Sequence, residues 1–177
     1  MARKSKDKES PGPADERPGV GSVSFLLSQL GFQSSRGFKE RLAPLEIEPY
    51  HFGVLRHVAF AEGSSQHALG EALRIAPSRM VALIDELEER GLVERRANPS
   101  DRRAHALHLT PAGRKLLDKA WKVALEHEKQ LSEALEPAER EQLLTLLGRI
   151  AAAQGLTTGV HPGLASKETP KGSSEEA

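Results

Sequence analysis

The chain contains no cysteine among its 177 residues. That excludes disulfides, thiolate metal sites and thiol-based redox sensing. No apolar run approaches the roughly 20 residues needed to cross a bilayer. The opening MARKSKDKES is charged and has no apolar segment behind it, so no secretory signal is expected and the expected compartment is the cytoplasm. The signatures of common enzymes are missing too. There is no glycine-rich phosphate loop, no nucleophile elbow and no H-E-x-x-H, and neither an enzyme nor a cofactor is expected. The seven histidines do not supply a metal site. His51 and His57 do not share a helix face, and His105 and His108 point to opposite faces of a strand.

Net charge of one sign is also lacking, with 25 basic and 25 acidic residues. A nucleic-acid binder is often basic overall, so the total argues mildly against that class. Local charge matters more, because screening limits the reach of a charge to about 10 Å. From Arg95 to Lys115 the basic residues are Arg95, Arg96, Arg102, Arg103, Arg114 and Lys115, against the single acid Asp101. A neutral total can hide a basic face.

What is present is a mostly helical pattern between two polar ends. Residues 1–20 and 155–177 are rich in small and polar residues and poor in large apolar ones, and both are expected to be disordered. Between them, Val23, Leu26, Leu27, Leu30 and Phe38 mark a first helix over Ser22–Leu42, interrupted by Gly31 and Gly37. Pro49 opens a second helix carrying Phe52, Leu55, Val58 and Ala59. Gly63-Ser64-Ser65 breaks it, and Ser65 can cap a short third helix over Gln66–Leu73. After a tight turn at Ile75-Ala76, Pro77 begins a fourth, with the stripe Met80, Val81, Leu83, Ile84 and Leu87, closed by Gly91. The period then changes. Leu92–Arg96 and the alternating His105–Leu109 read as two strands around the turn cluster Asn98-Pro99-Ser100-Asp101. Thr110-Pro111 starts a long helix towards Leu135, and Pro137 starts the last.

The expected fold is mostly α with a small β-hairpin wing: two short helices on a tight turn, then a hairpin, form a winged helix-turn-helix. The second helix of such a pair fits the major groove and presents its first residues to base edges. Here those residues are Ala76, Pro77, Ser78, Arg79 and Met80, although a methionine at such a place is more often core than reader. Arg79 can pair with guanine, and Ser78 can reach a phosphate or a base. Arg102 and Arg103 at the hairpin tip can enter a minor groove or clamp a phosphate. Asp101 can hold a neighbouring arginine through a charge-assisted hydrogen bond. Ser65 and Gln66, at the start of the third helix, and Arg96, on the first strand, complete the candidate DNA face. Arg95, Arg96 and Arg114 can touch the DNA backbone or pair with Glu88, Glu89 and Glu94.

The stretch ALGEALRIAPSRMVALIDELEERGLVERRANPSDRRAHALHLTPAGRKLL resembles the winged helix of the MarR family of bacterial transcription factors. The most specific part is Asp101-Arg102-Arg103, then alternating residues to Leu109-Thr110, then Gly113-Arg114. Glu89-Arg90-Gly91-Leu92-Val93 is similar to the family's exit from the recognition helix. Asn98 stands where the family often carries Asp. The resemblance implies a homodimer in which the first helix and the last two interlock, reading a pseudo-palindromic operator, with Arg102 matching the wing arginine. It also implies a cleft between the dimerisation helices and the winged domain where a small-molecule effector can bind. Tyr50, His51, Phe52 and Arg56 are the candidate lining. The implied organisation is an arm (1–20), N-terminal helices (22–62), the winged helix-turn-helix (63–112), dimerisation helices (113–154) and a tail (155–177). A winged-helix module that binds protein, or that binds DNA architecturally without a small ligand, is the alternative.

Overall fold

Proline punctuation sets most of the helix starts. The computed structural model describes residues 21–98 and 101–164, and the side chains of all of these except Asn98 and residues 101–104. The expectations for the arm (1–20), for Pro99 and Ser100, and for the tail over 165–177 lie outside the described residues. The elements run α1 (Val23–Leu42), α2 (Pro49–Phe60), α3 (Gln66–Leu73), α4 (Pro77–Glu89), β1 (Val93–Asn98), β2 (Asp101–Leu109), α5 (Pro111–Leu131) and α6 (Pro137–Ala153). Proline stands in the first turn of α2, α4, α5 and α6, where its fixed φ favours the helix and its missing N–H costs nothing. Ser65 and Thr110 cap α3 and α5 by accepting the backbone N–H of Ala68 and Gly113. Gly91, at φ +66, closes α4, a conformation that glycine adopts without a side-chain clash.

The chain divides within α1, after Ser35. The N-terminal unit holds the first part of that helix, on which Val23, Leu26, Leu30 and Phe32 are exposed. The larger unit holds the rest. Its core gathers Val54, Leu55 and Val58 of α2, Leu69 and Leu73 of α3, Met80, Leu83, Ile84 and Leu87 of α4, Val93, Leu107 and Leu109 of the hairpin, and Leu117 and Ala120 of α5. The hairpin is antiparallel, pairing Val93 with Leu109 and Arg95 with Leu107, and its register shifts after Ala97. β2 therefore starts at Asp101, earlier than the alternation alone suggests. The segment before α3 adds a short third edge: Gly63 N–H donates to the Leu107 carbonyl, and Leu107 N–H to that of Ser64.

Two expectations are corrected. The long fifth helix stops at Leu131, not near Leu135: Ser132 makes its last i→i−4 bond, to the Glu128 carbonyl, and the chain then turns, with Leu135 N–H donating to the Ser132 carbonyl. The chain after α6 does not begin a disordered tail at residue 155. Residues 156–164 fold back on α2, Leu164 is buried, and Arg56 donates to the Gly159 carbonyl. Gly53 makes room for this, since a Cβ there would lie 2.8 Å from a Leu164 methyl. Among the described residues, no helix is long and apolar enough to cross a membrane.

Candidate nucleic-acid interface

α3 and α4 are held by a turn of three residues. Arg74 takes the left-handed conformation, and Ile75 N–H donates back to the Gly70 carbonyl. Gly70 lets α4 approach: a Cβ there would lie 3.3 Å from the Ile75 carbonyl oxygen and against the Met80 side chain. α3, the start of α4 and the hairpin frame a groove of about 810 Å³, lined by Ser65, Gln66, Pro77, Val81, Arg95 and His105 among others.

The groove sorts the expected DNA-facing residues. Ala76, Pro77 and Ser78 are exposed at the start of α4, while Arg79 is partly buried on the side towards Tyr50, whose ionisation it favours. Met80 is corrected: it is 1% exposed and packs in the core, so it cannot reach a base. Ser65 spends its hydroxyl oxygen on its own helix. Arg96 is exposed and ion-paired with Glu94 on the same strand. The side chains of Asp101, Arg102 and Arg103 lie outside the described residues.

Arg95 takes the pairing expected with Glu88 and adds Asp85 and Gln66, which the sequence did not indicate. From β1 its guanidinium reaches Asp85 and Glu88 of α4 and, at 2.9 Å, the Gln66 side-chain oxygen of α3. Burial opposes its charge, but the two carboxylates outweigh that and hold its pKa above the usual arginine value. One side chain thus ties both helices to the wing and offsets part of the negative charge of Asp85 and Glu88. Arg114 likewise pairs with Glu62. Val81 was also missed. It lies about 100° around the helix from Met80, off the buried positions Met80, Leu83, Ile84 and Leu87, and is 44% exposed in the groove. Counting i, i+3, i+4, i+7 strictly from Met80 would have excluded it from the core stripe.

The candidate effector residues do not gather at one place. His51 is 3% exposed. Its Nδ1 accepts the Glu48 N–H, and its Nε2 lies 2.8 Å from Glu86, an ion-pair distance without the alignment of a full hydrogen bond. His51 therefore fastens α2 to α4 from a buried position. Burial lowers its pKa, against the opposing pull of Glu86. The Tyr50 ring packs against it, tilted by 55° with centroids 4.2 Å apart, and burial followed by Glu86 raises the phenol pKa. Phe52 stands edge-on between Phe38 and Trp121, at 5.7 and 5.2 Å, and Phe38 also meets His127. Arg56 is committed to the Gly159 carbonyl.

A helix pair on a tight turn, a hairpin beside it and an open groove between them define a winged helix-turn-helix protein. The sequence profile of the MarR family matches residues 45–104. The putative transcriptional regulatory protein for the hcr operon of Thauera aromatica is 33% identical over 132 residues, covering 74% of this chain and 80% of that protein. The transcriptional repressor CouR bound to a 23-mer DNA duplex is 35% identical, with a TM-score of 0.67 over 75% of this chain and 97% of CouR. CouR from Rhodococcus jostii RHA1 bound to p-coumaroyl-CoA is 32% identical, with a TM-score of 0.63 over 75% and 93% of the two chains. The chain belongs to the MarR family of transcriptional regulators.

Proposed function

We propose that this chain is a sequence-specific DNA-binding regulator, a repressor, that sits on a pseudo-palindromic operator as a homodimer and is released by a small-molecule effector. The observation that carries the reading is the groove between α3, α4 and the hairpin, into which the outer face of α4 opens. Ser65, Gln66, Ala76, Pro77, Ser78 and Arg79 form the reading face, and Arg96, Asp101, Arg102 and Arg103 serve the wing. Arg95 offsets part of the negative charge of α4 by pairing with Asp85 and Glu88. A homodimer accounts for α6, which buries none of its residues within one chain and leaves Leu143, Leu144, Leu146 and Ile150 exposed. The role involves no catalytic step, and the compartment that fits it is the cytoplasm.

The effector acts only through its different affinity for the DNA-competent and DNA-incompetent states. The aromatic cluster Phe38, Phe52 and Trp121 suits an aryl group, and the ligand-bound CouR structure makes p-coumaroyl-CoA the first probe. The test is a titration of the protein against the duplex upstream of its own gene, at two salt concentrations. Tight binding that falls steeply with salt is expected, weakened by about 1–3 kcal/mol in Arg102→Ala. Addition of p-coumaroyl-CoA should release the duplex and change the emission of Trp121, the single tryptophan. Absence of salt-dependent binding by the folded protein to this duplex and to random-sequence duplex pools would overturn the reading.

A further inference from the structure

The outward face of α4 is short of hydrogen-bonding groups. Along it stand Pro77, Ser78, Val81 and Ala82, all exposed, and then Asp85, whose carboxylate is held by Arg95. Arg79 lies to one side, partly buried towards Tyr50. Among these residues Val81 is the largest apolar side chain and stands in the middle of the helix, within the groove. A β-branched residue in a helix is held largely in one χ1 rotamer, so its two methyl groups are already placed before any ligand arrives.

An exposed valine on a surface helix is usually incidental. Here it stands in the surface that the proposed function lays into a major groove, and its exposed neighbours along α4, Pro77, Ser78 and Ala82, carry side chains no longer than its own. In that groove the base feature an aliphatic group can recognise is the C5-methyl of thymine, because every other distinguishing group is a hydrogen-bond donor or acceptor. We infer that Val81 is a specificity-determining residue that reads a thymine methyl group in each half-site, so that the middle of the half-site requires an A·T pair with its thymine facing α4. The inference rests on the proposed DNA-binding function and adds to it the chemistry by which the site is chosen. Gln66 complements this readout. Its side-chain oxygen accepts from Arg95, which leaves its amide as a donor that contacts phosphate or base acceptors and disfavours the two-point pairing with adenine.

Uracil differs from thymine by that methyl alone, which makes the test specific. The intact protein is used for two parallel selections from random-sequence duplex pools, one made with thymidine and one with deoxyuridine triphosphate. The preferred thymidine duplex is then resynthesised with single thymine-to-uracil replacements and titrated against wild type, Val81→Ala and Val81→Thr. One position per half-site should weaken wild-type binding about fourfold on replacement, equivalent to the ~0.8 kcal/mol of one buried carbon group. The same replacement should leave Val81→Ala binding unchanged. Val81→Thr keeps the branched shape and one methyl, and should retain part of the discrimination. The uracil pool should show no preference at that position. Equal wild-type affinity for thymine and uracil at every position of a tightly bound site would overturn the inference and leave DNA binding intact. An equal uracil penalty in wild type and Val81→Ala would overturn the assignment to Val81. Failure to enrich any sequence from either pool would overturn the proposed function and this inference with it.

Discussion

Arg95 is placed where three elements meet, and its contacts to Asp85, Glu88 and Gln66 leave two carboxylates facing each other if it is removed. Arg95→Met is expected to cost about 1–3 kcal/mol, read as a lower urea midpoint at fixed protomer concentration; an unchanged midpoint would mean the pairs are solvated surface contacts. Gly113 is constrained more sharply. A Cβ there would lie 1.9 Å from the Leu92 carbonyl oxygen, the same carbonyl that accepts the Thr110 N–H. Gly113→Ala should therefore destabilise by at least about 1–3 kcal/mol through overpacking, seen as a fall in melting temperature. The motif Gly113-Arg114 was legible in the sequence as a family resemblance, and its physical reason is this close approach of α5 to the exit of α4. His51 carries a pH dependence of defined sign. Its pKa is lowered in the folded state, mainly by burial, so its contribution is present above the unfolded value of about 6.5 and is lost as pH falls through the folded value. Protonation would also remove the Nδ1 acceptor that caps α2. Relative to His51→Gln, which keeps a capping-box residue, wild type should lose stability faster between pH 7.5 and 5.5. Parallel urea midpoints for the two proteins over that range would rule this out.

At the scale of elements, the punctuation was readable: Pro49, Ser65, Pro77, Gly91, Thr110-Pro111 and Pro137 stand where the structure starts or ends its helices. Local stereochemistry decides such positions, and a single sequence carries it. The return of residues 156–164 onto α2 was not readable, because no periodic pattern marks it. It rests on isolated contacts made across the fold by Leu164, Val160 and the Gly159 carbonyl. Deleting residues 156–177 should lower stability by about 1.5–3 kcal/mol, the burial of one leucine side chain. Gly53→Ala, which crowds Leu164, should destabilise the full chain and be neutral in the truncated one. Equal effects in both backgrounds, measured as a double-mutant cycle, would show that the segment does not seat on α2. The candidate site was legible in the same partial way. The order of helices and hairpin gave the groove, but which α4 residues face it depends on the helix rotation that packing selects, and this buries Met80 and exposes Val81.

For the whole molecule, a net charge of zero is compatible with a DNA-binding face because pairing is local: Asp85 and Glu88 of α4 share Arg95, and Glu62 pairs with Arg114. The unburied leucines of α6 place a second demand on the assembly. Leu144→Glu should shift the protein from dimer to monomer in sedimentation and reduce DNA affinity in step; a dimer that persists would move the interface elsewhere. The central claim is that two copies of α4 enter successive major grooves of one duplex. A hydroxyl-radical footprint of the wild-type protein on its selected duplex tests this most directly. Two protected windows related by two-fold symmetry, with centres about one helical turn apart on one face of the DNA, are the predicted result. A single window, or uniform protection without symmetry, would contradict it.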